Sequence, residues 1–128
     1  MTYQANSRNR VKGPGLRIPG VAKQLAAGAT TANTALTVGC QRISILAVTA
    51  DIRYAIGTAA QTASATTSHF IKAGERLELD VPQNIDATVD GNGNPSGANY
   101  GQVIASNIAV IRDASTSGTL EVTEFVNY

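Results

Sequence analysis

The chain has 128 residues, enough for one domain with its own core, and its single cysteine, Cys40, excludes an intrachain disulfide. No apolar run approaches the roughly 18 residues of a membrane span, and no secretory signal opens the chain, so we expect a protein made in a reducing cytoplasm, without membrane contact. Residues 1–50 carry six bases and no acid, whereas residues 51–128 carry four bases and nine acids. This split favours contacts between unlike surfaces, either between copies or with an acidic partner.

Residues 1–20 are predicted to form an extended N-terminal arm, because their three glycines and two prolines oppose both a helix and a central strand. The arm carries Arg8, Arg10, Lys12 and Arg17, which we expect to bind a partner by pairing with its acidic groups. Four bases would also give salt-sensitive, non-specific binding to nucleic acid. Tyr3 is the only aromatic residue of the arm, however, so we do not expect nucleic acid as the partner.

Residues 21–128 are predicted to form one all-β domain. Short apolar runs alternate there with Gly, Asn, Ser and Thr clusters, and no stretch of ten residues has a helical stripe. The expected strands are Val21–Leu25, Ala35–Val38, Arg42–Val48, Ile52–Ile56, His69–Ile71, Arg76–Val81, Asn107–Ile111 and Thr119–Val126. About eight short strands indicate a single antiparallel β-sandwich or a small barrel.

Alternation within these runs predicts which faces are buried. In Arg76–Val81 the three apolar residues fall on one face and the three charged residues on the other, as in a half-buried antiparallel strand. The run RISILAV at Arg42–Val48 is almost continuously apolar, which favours a central strand covered on both faces.

Two segments are predicted to be loops. Residues 57–68 are rich in Ala, Ser and Thr without an apolar anchor, which suggests a segment that is mobile or shaped by a neighbour. Residues 82–101 are long and rich in turn residues. Compact domains seldom keep loops of this length without a use, so this segment is a candidate contact loop.

The residue types that carry catalysis are sparse. His69 is the only histidine, and its neighbour Ser68 would point to the opposite face of a strand, so the two cannot form a nucleophile–base pair locally. Cys40 with one histidine cannot make a zinc site within one chain and is interpreted as a small buried apolar residue. We therefore expect a protein that is not an enzyme and that has no cofactor.

Asp86, Asp90, Asn92 and Asn94 crowd one segment and raise the alternative of a calcium site. The spacing lacks the denser acids and the terminal Glu of an EF-hand loop. Asp-Gly and Asn-Gly are also common turn pairs, so turn formation is the preferred interpretation, and no metal is expected.

Two stretches resemble a small module that recurs in bacteriophage virion proteins. They are RISILAVTADIRYAIGTAAQTASATTSHFIKAGERLELDVP (42–82) and NIAVIRDASTSGTLEVTEF (107–125), about 60 of the 128 residues. The similar order is a strand ending in R-Y-A-I-G, an Ala/Thr-rich loop before S-H-F-I-x-A-G, and a strand closing on D-V-P. I-A-V-I-R and a Ser/Gly turn into G-T-L-E-V-T then follow.

This resemblance implies a β-sandwich structural subunit of a virion, above all a capsid decoration (cement) protein that bridges neighbouring capsid subunits. Its partners would be the major capsid protein or another virion protein and further copies of itself. A tail, baseplate or head–tail connector subunit is the first alternative. A host- or carbohydrate-binding module is the second, although such modules usually expose several aromatic rings and this chain has no Trp, four Tyr and two Phe.

Overall fold

The computed structural model describes residues 18–82 and 84–126 of the chain. Within these ranges the backbone forms ten β-strands and no helix, which confirms the all-β prediction. The strands are β1 (Ile18–Ala27), β2 (Ala32–Ala35), β3 (Arg42–Val48), β4 (Ile52–Gly57), β5 (His69–Ile71), β6 (Arg76–Asp80), β7 (Asn84–Ile85), β8 (Val103–Ile104), β9 (Asn107–Arg112) and β10 (Gly118–Val126).

Eight of the strands form two four-stranded sheets. The first sheet has the order β1-β10-β3-β6 and the second the order β2-β9-β4-β5, and all neighbouring strands are antiparallel. Every connection between these eight strands crosses from one sheet to the other, except the one from β4 to β5. This is the strand arrangement of a jelly roll, the double-sheet form of the predicted sandwich. β7 and β8 pair only with each other, outside both sheets.

The core lies between the two sheets and follows the predicted alternation. Strand β3 runs between β10 and β6, which confirms its central position, but its outer face is only partly covered, since Arg42, Leu46 and Val48 are half-buried. In β6 the apolar residues point inward and the three charged residues are exposed, also as predicted. The largest fully buried side chains are Leu36, Ile43, Ile45, Ile52, Ile71, Ile108, Val110, Leu120 and Val122. At about 1.5–3 kcal/mol for each fully buried side chain, this set holds the two sheets together.

Strand boundaries agree with the prediction at most positions and differ at β2. Arg42–Val48 and His69–Ile71 are observed as predicted, whereas Ala32–Ala35 replaces the predicted Ala35–Val38. Leu36 still donates its backbone N–H to Ser106 O at 2.8 Å, and the chain turns after it, where Cys40 donates to Thr37 O at 3.0 Å. Leu36 is therefore buried while Val38 stands 58% exposed, so two residues that alternate in sequence do not share a face.

Two further expectations change in detail. Part of the predicted arm, residues 18–20, lies in β1, which shifts its register against β10 between Pro19 and Ala22. The expectation that residues 57–68 have no apolar anchor is wrong, because Ala63 is only 4% exposed. Its backbone N–H is donated to Thr31 Oγ1 at 2.9 Å, and this ties the segment to the chain between β1 and β2.

Candidate docking surface

The two ends of the sandwich differ in how the chain connects its strands. At the short-turn end, the connections are residues 28–31, 49–51, 72–75 and 113–117. At the opposite end, the long-connection end, residues 36–41 and 81–106 connect strands, and residues 58–68 leave β4 there before Ala63 reaches Thr31 at the short-turn end. The registers place these three together: Asn107 lies opposite both Ala35 and Gly57, and Arg42 lies opposite Asp80. Binding residues concentrate on loops held by a rigid scaffold, so the long-connection end is the candidate functional surface.

Strand β1, which follows segment 1–17, begins at this same end. Ile18 begins β1 opposite Val126 of β10, and Glu124 of β10 lies opposite Ile43 near the start of β3. The predicted partner-binding bases lie outside the described residues; these are Arg8, Arg10, Lys12 and Arg17. The structure shows only where strand β1, which follows them, begins, and this is at the long-connection end.

Residues 84–104, here called the excursion, form a hydrogen-bonded hairpin rather than an irregular loop. Strands β7 and β8 pair at its base, and Val89 bridges Pro95 near its tip. Between them, Asp86 donates its backbone N–H to Gln102 O at 2.9 Å, and Gly101 donates to Asp86 O at 2.7 Å. The excursion thus has a defined surface, and binding through it would cost less ordering entropy than binding through a disordered loop.

The exposed apolar side chains cluster at the long-connection end. Among the described residues, seven large hydrophobic side chains are exposed, and six of them lie there. They are Val21, Val38, Ile85, Val89, Tyr100 and Val103, here called the apolar set. The seventh, Phe70 on β5, lies under the guanidinium of Arg53 at 5.1 Å. Single exposed hydrophobic residues are ordinary, but such a concentration at one end marks a contact surface.

A groove of about 380 Å³ opens between the first sheet and the connection 36–41. It is lined by Val21 from β1, by Val38 and Cys40 from the connection, and by Glu124 from β10. Glu124 is only 4% exposed, yet its Oε2 accepts the backbone N–H of Thr37 at 2.9 Å and lies 3.4 Å from Lys23 Nζ. The groove therefore combines exposed apolar walls with a buried, paired carboxylate.

Charge is unevenly spread over the described residues. The six bases and nine acids within residues 18–126 give a net charge of −3, while the four bases of residues 1–17 give +4. Acids at the long-connection end include the exposed Asp80 and Glu78, which share Arg42, together with the exposed Asp90 and the half-buried Asp86 on the excursion. Segment 1–17 is thus basic, whereas the described domain that follows it is acidic overall.

The carboxylates of the excursion serve as turn acceptors. Asp90 Oδ1 accepts the backbone N–H of Asn92 at 2.8 Å and of Asn94 at 3.0 Å, and Asp86 Oδ1 accepts the side-chain and backbone donors of Thr88. These bonds hold the pKa of both carboxyls below the usual range, through the Thr88 hydroxyl at Asp86 and the Asn94 amide at Asp90. In the part of the chain that the structure describes, no three His, Cys, Asp or Glu side chains come together as a metal site.

His69 lies against an aromatic ring at the edge of the sandwich. Its ring centroid is 5.5 Å from that of Tyr54, and a cleft of about 250 Å³ beside them is also lined by Leu79 and Asp80. Burial raises the pKa of the Tyr54 phenol. Ser68 accepts a hydrogen bond from the backbone N–H of Ser64 at 2.8 Å, so this hydroxyl takes part in a turn beside the histidine.

Cys40 is half-buried in the wall of the groove, more accessible than the small core residue expected from the sequence. Its Sγ lies 3.6 Å from Arg42 O. Burial, followed by the negative charge of Glu124, raises the pKa of the thiol. The thiolate fraction at neutral pH is therefore lower than that of a solvent-exposed cysteine.

Sequence reasoning missed the groove and the apolar set. Leu120, Val122 and Glu124 alternate along β10 and all point into the core. A charged residue at such a position does not indicate which residue pairs with it, and its partner Lys23 lies about 100 residues earlier in the sequence. The turn-rich composition of residues 82–101 indicated a contact loop. The exposure of Val89 and Tyr100 could have been inferred only from the absence of an alternating pattern around them.

Comparison with known proteins gives little support for a specific assignment. No protein-family model matches the chain, and no curated protein matches it. Among solved structures, the chain is similar to a crystal structure of PirA, with 13% sequence identity and a TM-score of 0.47, over 80% of this chain and 92% of that one. At this level the similarity bears on neither function nor partners. The described residues include no helix that is long and apolar enough to span a membrane.

Proposed function

We propose that this chain is a structural protein of a bacteriophage virion, most specifically a capsid decoration protein that bridges neighbouring capsid subunits. One observation carries the proposal: six of the seven exposed large hydrophobic side chains of the described residues lie at the long-connection end. The jelly roll gives secondary support, since capsid domains use it, although lectins and cupins use it too and fold alone does not decide function. The resemblance of residues 42–82 and 107–125 to virion modules selects the class.

The mechanism is the addition of contact area across a joint between shell subunits. The long-connection end would lie against the shell through Val21 and Val38, which line the groove. Segment 1–17 would extend over a neighbouring subunit of the assembly, either a capsid protein or a further copy of this chain, where its bases pair with acidic groups. A decoration protein bound in this way raises the free energy needed to separate the subunits that it bridges.

The free energy of burial, compared with the cost of association, indicates why attachment needs several contacts or copies. Covering the exposed part of one apolar side chain contributes roughly 1 kcal/mol, so Val21 and Val38 at the groove supply roughly 2 kcal/mol to attachment. Association itself costs about 4–15 kcal/mol, and a single long-connection end would bind weakly on its own. Stable attachment then depends on the charged segment and on several contacts acting at once.

The direct experiment is quantitative mass spectrometry of purified virus particles from the source, counting this chain against the major capsid protein. We expect one copy per capsid subunit or per few subunits. A ratio near one per hundred would reject decoration in favour of a tail, baseplate or connector role. Absence from the particle would reject the virion assignment and leave an all-β binding domain.

A binding measurement then tests the surface. Particles that lack the protein would be mixed with the wild-type chain, with Val38→Asp, or with the control Phe70→Asp, which alters an exposed hydrophobic residue away from the long-connection end. We expect Val38→Asp to weaken attachment by roughly tenfold or more and Phe70→Asp to leave it unchanged. Equal effects of the two substitutions would contradict docking through this end.

A further inference from the structure

The excursion combines two features that a basic, partly apolar segment can satisfy. Ile85, Val89, Tyr100 and Val103 expose between 38% and 48% of their surface, and none of them belongs to the core. Asp86 and Asp90 stand among them with carboxylates kept ionised by local hydrogen bonds. An occupant of this hairpin must therefore carry positive charge and also cover apolar side chains.

Residues 6–17, NSRNRVKGPGLR, have this composition. The segment holds four bases and no acid, with Val11 and Leu16 among them. Its charge of +4 complements the −3 of residues 18–126. The segment precedes β1, which begins at the long-connection end, and the excursion is part of a connection at that same end.

The direction of β1 favours the excursion of another copy. β1 and β6 form opposite edges of the first sheet, and the excursion follows β6. Three strand spacings separate these edges, about 14 Å. β1 begins at the long-connection end, so the segment that precedes it is attached at the sheet edge opposite the excursion of its own copy, with β10 and β3 between.

The segment is long enough to reach a neighbour. Seventeen extended residues span at most about 55–60 Å, whereas a domain of this size has a radius of gyration of roughly 13 Å. A neighbouring copy placed side by side therefore lies within reach. Copies linked head to tail in this way form a closed ring when the rotation between them closes.

We propose that residues 1–17 of one copy dock on the excursion of a second copy, and that this exchange builds a homo-oligomer. Arg8, Arg10 and Lys12 pair with Asp86 and Asp90, while Val11 and Leu16 cover the exposed apolar side chains of the hairpin. The contact joins copies of this chain, so it stands or fails separately from the proposed attachment to a virion.

Cross-linking between copies tests the exchange directly, using the full chain with Cys40→Ser. One preparation carries Val11→Cys and another carries Val89→Cys, and the two are mixed and oxidised. We expect a disulfide-linked heterodimer on a non-reducing gel, in at least fivefold higher yield than when Phe70→Cys, at a similarly exposed site, replaces Val89→Cys. Equal yields with the two acceptors would overturn the proposal.

A chain that carries both Val11→Cys and Val89→Cys separates the two routes. Exchange gives linked dimers and larger species, whereas docking of the segment on its own hairpin gives a cross-linked monomer that migrates faster. A predominance of the cross-linked monomer would overturn the proposal in favour of an intramolecular contact.

Sedimentation of the otherwise unmodified chain gives an independent readout. Replacing Arg8, Arg10 and Lys12 by Gln should weaken self-association by roughly tenfold or more, because each exposed ion pair contributes up to about 1 kcal/mol. Salt at about 1 M, where the screening length is about 3 Å, should have the same effect. A monomer in low salt, or an oligomer indifferent to the three substitutions, would overturn the proposal. Neither result would bear on whether the chain is a virion component.

Discussion

Replacing Lys23 by Met tests whether the ion pair in the groove holds the two sheets together at the long-connection end. Lys23 Nζ lies 3.4 Å from Glu124 Oε2 within the first sheet and donates to Ala35 O of the second sheet at 2.6 Å. Glu124 also accepts the backbone N–H of Thr37 at 2.9 Å. The substitution leaves a carboxylate that is 4% exposed with one hydrogen-bond donor and no cation.

The size of the effect follows from how deeply each partner is buried. Removing one partner of a fully buried ion pair costs about 3–5 kcal/mol. The Lys23 side chain is 25% exposed, so water reaches the mouth of the pair, and we expect Lys23→Met to lower the free energy of unfolding by about 2 kcal/mol. Glu124→Gln keeps a side-chain oxygen that accepts the Thr37 N–H and leaves Lys23 as a cation that water can reach. We therefore expect this substitution to lower the free energy of unfolding by about 1 kcal/mol.

Urea denaturation followed by circular dichroism measures these differences. Asp80→Asn is the matched control, since it breaks the pair with Arg42 at a side chain that is 79% exposed, and it should cost less than about 1 kcal/mol. The double variant Lys23→Met with Glu124→Leu should be more stable than Lys23→Met alone, because it removes the unpaired charge. A Lys23→Met chain that unfolds within about 0.5 kcal/mol of wild type would refute this account of the groove.

Three further predictions concern single sites. An added Cβ at Gly118 would lie 2.7 Å from Val48 O, so Gly118→Ala should destabilise the fold by about 1–3 kcal/mol, while Gly91→Ala, with nothing within 4 Å, should stay within about 0.5 kcal/mol in the same urea assay. The lowered pKa of Asp90 means that its contribution to stability is fully present above the ordinary Asp pKa and is lost as the pH falls through the folded value. NMR titration should give a midpoint below that of Asp in a short peptide, and an equal midpoint would count against the turn bonds. Because burial raises the pKa of Cys40, this thiol should react with a disulfide reagent at neutral pH several-fold more slowly than cysteine in a peptide, and an equal rate would contradict its half-buried position.

The sandwich could be predicted from sequence because each strand shows its own local alternation of apolar and polar residues. In β6 the inward Leu77 and Leu79 alternate with exposed charged residues, and in β10 Leu120 and Val122 alternate in the same way. The order of the strands within each sheet could not be read in this way. It depends on pairings such as that of β1 with β10, which join opposite ends of the chain.

The candidate surface was predictable only in outline. Local composition indicated a contact loop at residues 82–101, but the hairpin is held by backbone bonds and by Asp86 and Asp90 rather than by apolar packing. Its exposed side chains therefore follow no period. The groove is harder still to predict from sequence, because Lys23 and Glu124 become neighbours only when β1 pairs with β10.

The apolar set also explains why function is assigned to one end. Val38 is 58% exposed and Tyr100 is 44% exposed, so neither contributes much to the core, and a polar residue would satisfy the fold at either position. Folding therefore gives no reason for six such residues to gather where segment 1–17 departs. Burial in the proposed interface would give that reason, and the same interface would account for an acidic body joined to a basic segment. If the long-connection end faced only water, substituting the apolar set with polar residues would leave both self-association and attachment to particles unchanged.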